Sequence, residues 1–221
     1  MSRTLLIVGA GPRLGGAIAR RFGHDGYDVA LIARTAGPVE QFANTLRGEG
    51  INTAWAAADV ADEQALGAEI ARLAERGPIT VAVHNVSIWR ESTALAMSPT
   101  ELLADLAAGA GSLLTLARAV APAMISSGGG TILATGSAAA DAPSPGAPSL
   151  GVQKAALRAL VQALARDLGP QGVHCATVTI NGVLGSSPEF DPARIAEVYA
   201  ELVAESAGAR GTWRTVVPYP A

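Results

Sequence analysis

The sequence predicts an α/β fold in which helices cover both faces of one doubly wound, mostly parallel, seven-stranded sheet. Short apolar runs alternate along the chain with longer segments of helical periodicity, which is the pattern of βαβ units. Most of the apolar runs are continuous rather than alternating, as expected for parallel strands that are covered on both faces. No linker, repeat or low-complexity tract interrupts the 221 residues, so we expect a single domain over residues 1–221.

The predicted elements alternate in type along the chain. The predicted strands are Thr4–Gly9, Asp28–Ala33, Asn52–Ala58, Ile79–His84, Gly130–Thr135, His174–Ile180 and Thr212–Val217. The predicted helices are Leu14–His24, Val39–Gly48, Asp62–Arg76, Pro99–Ala107, Gly109–Ile125, Ser149–Leu168 and Asp191–Ala204.

Composition and charge narrow the possible functions. The formal net charge is −3, which argues against a nucleic-acid-binding or membrane-surface protein because both carry basic patches. The N-terminal apolar run is too short for a signal peptide, and no later run reaches membrane-spanning length. We therefore expect a soluble cytoplasmic protein. The single cysteine, Cys175, lies in an apolar run and is expected to be a buried structural thiol rather than a reactive one.

Two predicted helices, 109–125 and 149–168, are apolar nearly all round. In the second, the charged and amide side chains recur at every fourth position and form one narrow stripe, which comprises Lys154, Arg158, Gln162 and Arg166. A helix that covers a sheet needs only one apolar face. Neighbouring helices are one way to cover the second face, but we favour a partner subunit and expect a homodimer or homotetramer built on these two helices.

A glycine-rich turn, "IVGAGPRLGG", follows the first predicted strand and opens the first predicted helix. In this context the backbone approaches a pyrophosphate closely, and the helix N-terminus faces its negative charge. The G-x-G-x-x-G spacing would need a glycine at Leu14, and a merely structural turn is the alternative. The residues predicted to bind a dinucleotide here are Gly9, Gly11, Arg13, Leu14 and Gly15.

The end of the second strand favours NADP(H) over NAD(H). NAD sites usually place an acidic residue there to bind the ribose 2′-hydroxyl, whereas this strand ends in "LIARTAG" with Arg34 and Thr35. A guanidinium would pair well with a 2′-phosphate, and Arg13 is a candidate for a second positive charge. The alternative is that both arginines are solvated surface residues.

Two further strand ends carry candidate cofactor ligands. Asp59 and Val60 close the third strand in "AADV", where a carboxylate is well placed for an adenine edge. His84 and Asn85 close the fourth strand in "HNVS", at the crevice where open α/β sheets bind ligands. As an isolated histidine, His84 is more often structural.

Together these segments resemble the short-chain dehydrogenase/reductase family along nearly the whole chain. The resemblance rests on "IVGAGPRLG", "ADV", "HNVS", "GSAAA" and "KAALRALVQALARDLGPQGVH". It implies a Rossmann-like fold, a nicotinamide dinucleotide and interconversion of a carbonyl and an alcohol on a small molecule. The family's T-G-x-x-x-G-x-G motif falls on Gly9, Arg13 and Gly15, with arginine at the middle glycine. Asn85 matches within the N-N-A-G motif, and Gly182 matches the glycine of the family's P-G after the sixth strand.

The resemblance also identifies a catalytic set that departs from the family's Asn, Ser, Tyr and Lys. Ser137 and Lys154 keep the family's types and spacing, whereas Leu150 stands at the tyrosine position and Gly109 at the asparagine position. The tyrosine transfers the proton and the lysine binds the nicotinamide ribose, so this chain lacks the usual proton donor. The alternative for Lys154 is that it is a lysine on the exposed surface of the helix with no role in binding. The substitutes considered for the proton donor are Ser137, Ser149, Asp141, His84 and Tyr199.

Three segments should rim the substrate pocket: Ser87–Thr93 with Trp89, the loop with Asp141 and Pro143, and the short connection Val183–Asp191. The last is brief for the family, so the site should be open. The sequence therefore leaves two main functions in view. One is an NADP(H)-dependent reductase with an atypical catalytic set, and the other is a non-catalytic dinucleotide-binding regulatory or partner protein. Lyase or isomerase activity is a remaining alternative.

Overall fold

Seven parallel strands form one sheet in the computed structural model, which describes residues 3–208 and 212–220. In spatial order the strands run β3-β2-β1-β4-β5-β6-β7, and each neighbouring pair is parallel. Their bounds are β1 Arg3–Val8, β2 Tyr27–Ala33, β3 Thr53–Ala57, β4 Ile79–His84, β5 Gly130–Ser137, β6 Val173–Ile180 and β7 Val216–Tyr219.

Helices cover both faces of this sheet. Their bounds are α1 Leu14–His24, α2 Ala36–Gly48, α3 Glu63–Ala74, α4 Pro99–Leu106, α5 Ser112–Ser126, α6 Pro148–Leu168 and α7 Pro192–Glu205. Helices α1, α2 and α7 pack on one face, and α3, α5 and α6 pack on the other. The chain leaves β1 and β4, which are neighbours, toward opposite faces, and this switch point opens a crevice at their carboxyl ends. The predicted single-domain, doubly wound architecture is confirmed.

The two core layers explain why the strand sequences are continuously apolar. In β1, Leu5 and Ile7 belong to the layer under α1, α2 and α7, whereas Leu6 and Val8 belong to the layer under α3, α5 and α6. All four side chains are fully buried, so both faces of the strand need apolar residues. Cys175 is a buried free thiol in the same core, as predicted, and burial raises its pKa to about 12.

The last predicted strand, Thr212–Val217, was placed wrongly. The strand is Val216–Tyr219, which pairs with residues 177–180 of β6. Ahead of it, Arg214 forms an ion pair with Glu205, and its carbonyl lies 2.7 Å from Nε2 of His174. The carbonyl of Thr215 accepts from the N–H of Thr177 at 2.8 Å, so the chain joins β6 at this point and the paired strand follows through Tyr219.

The predicted helices Pro99–Ala107 and Gly109–Ile125 are joined rather than separate. A π-helical turn, Ala107–Gly111, connects α4 to α5, so helical structure is continuous from Pro99 to Ser126. Contrary to the sequence expectation, this stretch of 28 residues is long and apolar enough to span a membrane, but 56% of its most apolar window is buried inside the protein. Its burial is that of a helix packed on the sheet.

Candidate functional site

The glycine turn after β1 is a cradle with room for a ligand. Gly9 has φ +82°, and a Cβ there would lie 2.7 Å from the backbone carbonyl of Asn85, so only glycine fits. A Cβ on Gly11 would meet nothing within 4 Å, so the backbone faces open space there. Helix α1 begins at Leu14 with no side-chain cap and no acidic residue in its first turn. Its first N–H groups therefore lack partners within the helix and face the crevice as an anion-binding end.

Arg34 and Thr35 lie at a cleft beside this turn. The cleft has a volume of about 190 Å³. Arg34 is exposed, and in the described ranges 3–208 and 212–220 no hydrogen bond or ion pair engages its guanidinium. The cleft-lining residues are Ala10, Gly11, Pro12, Ala33, Arg34, Thr35, Pro38, Val39 and Phe42.

Arg13 is directed elsewhere. Its Nη2 donates a hydrogen bond of 2.5 Å to the carbonyl of Leu184, which lies in the connection after β6. This contact spans the crevice from the glycine turn to the loop before α7. The Arg13 guanidinium is thus bound to Leu184, and Arg13 does not line the cleft beside Arg34, which disagrees with the expectation that it turns toward that ribose cleft.

Asp59 and Val60 follow β3, at the same edge of the sheet. Asp59 is exposed and Val60 is half-buried. One carboxylate oxygen of Asp59 accepts a hydrogen bond of 3.0 Å from the backbone N–H of Ala61, which fixes the turn into α3. Their contact with an adenine ring stays a prediction.

Asn85 ties the glycine turn to β5 through its side-chain amide. Its Nδ2 donates to the carbonyl of Gly9 at 3.1 Å, and its Oδ1 accepts from the Thr135 hydroxyl at 2.8 Å. Thr135 has one hydroxyl hydrogen, so Tyr199 must be the donor in the 2.8 Å bond between their oxygens. The sequence reading had not singled out Thr135.

Tyr199 is a core residue rather than part of a lid over the pocket. Its side chain is fully buried between α7 and the sheet. Burial raises the pKa of its phenol above the ordinary value, and the hydrogen bond to Thr135 opposes this only in part. The suggestion that Tyr199 supplies the missing proton is therefore wrong, because a buried phenol with its hydroxyl engaged has no path to a substrate.

Lys154 lies under the crevice, where its ammonium meets the ends of β4 and β5. Its Nζ donates to the carbonyl of Val86 at 2.9 Å and to that of Thr135 at 2.8 Å. The residue is 2% exposed, which excludes the surface-lysine alternative. Burial lowers the pKa of this ammonium to about 7. Lys154 is also the single lysine of the chain.

Ser137 belongs to β5, the strand that binds the Lys154 amine through Thr135, and Leu150 belongs to α6, the helix that carries Lys154. Ser137 ends β5, two residues after the Thr135 carbonyl that binds the ammonium, and its Oγ accepts a bond of 3.1 Å from the N–H of Ala139. Because this oxygen acts as an acceptor, its own hydrogen is free to donate. Leu150 is half-buried in the first turn of α6 and offers no group for proton transfer.

Gln153 fills the space beside Gly109, and the sequence reading missed it. Gly109 lies in the π-helical turn, and a Cβ added there would overlap Oε1 of Gln153 and come within 2.7 Å of its Cγ and Cδ. Gln153 is fully buried. Its Oε1 accepts from the N–H of Ile88 and its Nε2 donates to the carbonyl of the same residue, each at 3.1 Å.

His84 has a structural role, as expected for an isolated histidine, rather than a role in binding a ligand at the crevice. Ser112 Oγ donates to the carbonyl of Ala108, so His84 Nε2 must donate to Ser112 Oγ in their 2.7 Å contact. Burial and the nearby charge of Lys154 lower the pKa of the imidazole to about 3. The ring is therefore neutral at physiological pH.

The other proton-donor candidates are also engaged elsewhere. Asp141 makes two hydrogen bonds, of 2.7 and 2.6 Å, with Arg158, and this guanidinium lowers the pKa of its carboxyl. Ser149 is fully buried, and Nε2 of Gln153 lies 3.5 Å from its Oγ. Neither side chain carries a proton toward the crevice.

The rim of the crevice combines exposed and packed residues. Trp89 is 64% exposed, so the structure gives it no packing role. Gly182 lies directly beneath the Phe190 ring, which a Cβ at this position would overlap. Phe190, another residue that the sequence reading missed, belongs to a short helical turn inside the Val183–Asp191 connection.

The fold and the glycine turn define a nucleotide-binding α/β protein, and sequence comparison identifies its family. The short chain dehydrogenase family profile matches residues 3–187. The chain therefore belongs to the short-chain dehydrogenase/reductase family, whose members are oxidoreductases.

Relatives and solved structures agree with this assignment. Dehydrogenase/reductase SDR family member 4 of Homo sapiens is 32% identical over 180 residues, which cover 78% of this chain and 63% of the human protein. The 3-oxoacyl-[acyl-carrier-protein] reductase FabG of Pseudomonas aeruginosa is 27% identical over 193 residues, or 87% of this chain and 76% of that protein. A metagenomic short-chain oxidoreductase solved in complex with NADP has a TM-score of 0.85 at 26% identity, covering 98% of this chain and 96% of that chain.

A short chain dehydrogenase from Mycobacterium smegmatis has a TM-score of 0.88 at 21% identity, covering 100% of this chain and 92% of that chain. This likeness supports the fold alone.

Proposed function

We propose that this protein is a cytoplasmic NADP(H)-dependent oxidoreductase that interconverts a carbonyl and an alcohol on a small molecule, with an atypical catalytic set. The observation that carries the cofactor assignment is the cleft beside the glycine turn. Arg34 lies at its edge without a partner in the described part of the chain, and no acidic residue lines it. A guanidinium so placed favours a 2′-phosphate over a free ribose hydroxyl.

The residues present fit a dinucleotide. Gly11 leaves open space where a pyrophosphate would lie, Gly9 permits the close approach of the turn to Asn85, and the uncapped start of α1 supplies N–H donors. Arg34 and Thr35 would hold the adenosine ribose, and the predicted adenine contacts are Asp59 and Val60. Asn85 keeps the glycine turn in place, and Gly182 lies where the family's P-G flanks the nicotinamide. When bound, the cofactor supplies or accepts the hydride.

The nicotinamide end would lie over Lys154 and Ser137. In its ammonium form Lys154 has three N–H groups, of which two donate to backbone carbonyls, so the third can bind a nicotinamide ribose hydroxyl. The Ser137 hydroxyl can donate to a substrate oxygen and polarise the carbonyl. Leu150 can do neither, and losing a general acid typically costs about 10²–10⁴-fold in rate. We therefore expect slow reduction with the proton taken from solvent or through Ser137.

Titration of NADPH and NADH, followed by nicotinamide fluorescence, tests the cofactor proposal. Arg34→Ala should raise the Kd of NADPH by roughly 10-fold or more, as expected for a charge-assisted contact with phosphate, and leave the Kd of NADH unchanged. Arg76→Ala is the matched control because Arg76 lies at the opposite end of the sheet, beside Thr4 and Asp28. Equal binding of NADH and NADPH by the unaltered protein would overturn the assignment.

A second candidate is a non-catalytic dinucleotide-binding protein, which Leu150 and Gly109 favour. A panel of carbonyl compounds, assayed with the unaltered protein and with Leu150→Tyr, separates the two. Turnover by the unaltered protein that falls in Ser137→Ala supports the reductase. Turnover that appears only with the added tyrosine supports the non-catalytic alternative.

The oligomer is part of the same proposal: a homodimer or homotetramer built on helices 109–125 and 149–168. Leu114 and Val152 support it, because these apolar side chains are 43% and 42% exposed on those two helices. Light scattering after size-exclusion chromatography measures the assembly. We expect a dimer or tetramer that Leu114→Glu dissociates, and a monomeric unaltered protein would refute it.

A further inference from the structure

Gln153 and Gly109 occupy complementary volumes beside the candidate nicotinamide site. A Cβ at Gly109 would meet Oε1, Cδ and Cγ of Gln153. Rotating the end of the glutamine would not relieve this overlap, because Cγ is among the three atoms. The small residue on the π-helical turn and the long amide on α6 therefore require each other.

Both ends of the Gln153 side-chain amide form hydrogen bonds with one residue, Ile88, of the loop after β4. It accepts from the Ile88 N–H and donates to the Ile88 carbonyl, at 3.1 Å each. An amide that pairs with both backbone groups of one residue imitates a strand partner and satisfies polar groups that would otherwise be buried unpaired. Two residues earlier, the carbonyl of Val86 accepts from Lys154. Gln153 and Lys154, which are consecutive in α6, thus bind Ile88 and Val86, which lie two residues apart in the loop after β4.

A second layer of polar contacts lies behind Gln153. Its Nε2 is 3.5 Å from Ser149 Oγ, and Arg90 together with Ser149 lowers the pKa of the Asp105 carboxyl. Asp105 is 3% exposed and accepts two hydrogen bonds, of 2.8 and 2.9 Å, from Arg90 of the same loop. The loop is therefore attached to α6 at one point and to α4 at the next.

We propose that Gln153 is a positioning residue that fills the space where a side chain at position 109, the family's asparagine position, would lie, and that anchors the loop after β4 through Ile88. By fixing Ile88 it holds the Val86 carbonyl, and through that carbonyl the ammonium of Lys154. The inference rests on the proposed function only in assigning Lys154 to the nicotinamide end of a cofactor. The loss of the asparagine is, on this view, an exchange between two helices rather than a simple deletion.

A double-mutant cycle tests the exchange without any cofactor. Gly109→Asn alone should unfold at a much lower urea concentration than the unaltered protein, because the new side chain collides with a buried, doubly bonded amide. Combining it with Gln153→Ala should restore part of that loss, so that the double variant is more stable than Gly109→Asn alone. Strictly additive effects, or a Gly109→Asn variant as stable as the unaltered protein, would overturn the proposal. If Gly109→Asn fails to fold, recovery of folding in the double variant gives the same answer.

The positioning role has its own measurement. Gln153→Met keeps the length of the side chain and removes both hydrogen bonds to Ile88. The Ile88 amide should exchange with solvent roughly 10-fold faster or more, as expected for the loss of one such bond. Because the chain has one lysine, isotope-labelled lysine gives a single side-chain resonance. Its titration should move toward the ordinary lysine range as the loop loosens and water enters.

Gln162→Met is the matched control, since Gln162 is an exposed glutamine on the same helix. It should change neither the Ile88 exchange rate nor the lysine titration. A lysine titration that is identical in Gln153→Met and the unaltered protein would reduce Gln153 to a packing residue and refute the positioning role. If NADPH fails to bind the unaltered protein, the proposed function falls while these measurements still decide the role of Gln153.

Discussion

Replacing Lys154 by methionine should change how the stability of the protein depends on pH. Burial lowers the pKa of the ammonium from its ordinary 10.5 to about 7. Between these two values the unfolded chain holds a proton that the folded chain has released, so the free energy of unfolding rises with pH through this window. The slope is about 1.4 kcal/mol per pH unit, which gives about 5 kcal/mol over the whole interval. The two carbonyls that accept from the ammonium favour its charged form, so this total is an upper figure.

Urea unfolding of both proteins between about pH 7 and about pH 10 measures this contribution, because the window is the one set by the folded and unfolded pKa values. The stability of the unaltered protein relative to Lys154→Met should increase steadily as the pH rises. Burial also raises the pKa values of Cys175 and Tyr199, which lowers stability in alkaline solution, but both residues are present in both proteins and cancel in the difference. A difference that is flat in pH, or one that falls as the pH rises, would refute the reasoning.

Two further substitutions test the contacts that shape the crevice. Gly9→Ala should lower the free energy of unfolding by about 2 kcal/mol or more, because its φ of +82° and the 2.7 Å approach to Asn85 leave no place for a methyl group; a change of a few tenths in urea unfolding would contradict this. Tyr199→Phe removes the donor to Thr135 and should cost about 1 kcal/mol in the same assay. Tyr219→Phe is the control, because the Tyr219 hydroxyl donates to the carbonyl of Glu189 in an exposed hydrogen bond, and its loss should lower the free energy of unfolding by less. Equal losses in the two variants would contradict the hydrogen-bond assignment.

Local sequence patterns predicted the sheet well because the information they use is local. Helix α1 has the bounds that its periodicity indicated, and so does β4. The continuous apolar runs report burial on both faces of a strand, which is a property of each strand alone. The last strand begins later than predicted, and Arg214 just before it binds Glu205 and His174, which are contacts that a local pattern does not encode.

The site was predicted in its framework but not in its contacts. The family resemblance paired Ser137 with Lys154, and in the structure the Lys154 amine binds the carbonyl of Thr135, two residues before Ser137 in β5. The exchange between Gly109 and Gln153 joins residues 44 positions apart through side-chain volume, and no periodicity encodes it. Thr135 was missed for a related reason, since its hydroxyl has a partner 64 residues away in Tyr199.

The identity of residue 154 is itself an argument about function. The chain has 16 lysines and arginines together, and Lys154 is the one lysine among them. An arginine would bring five N–H donors and a permanent charge to a place that offers two carbonyls. A compact ammonium can donate to both carbonyls. In the described residues no carboxylate contacts it, however, so its burial opposes folding at neutral and acidic pH. A structural role alone would be met at less cost by an apolar side chain, whereas an anchor for a ribose hydroxyl needs the third N–H of the ammonium form, which the two carbonyls leave available.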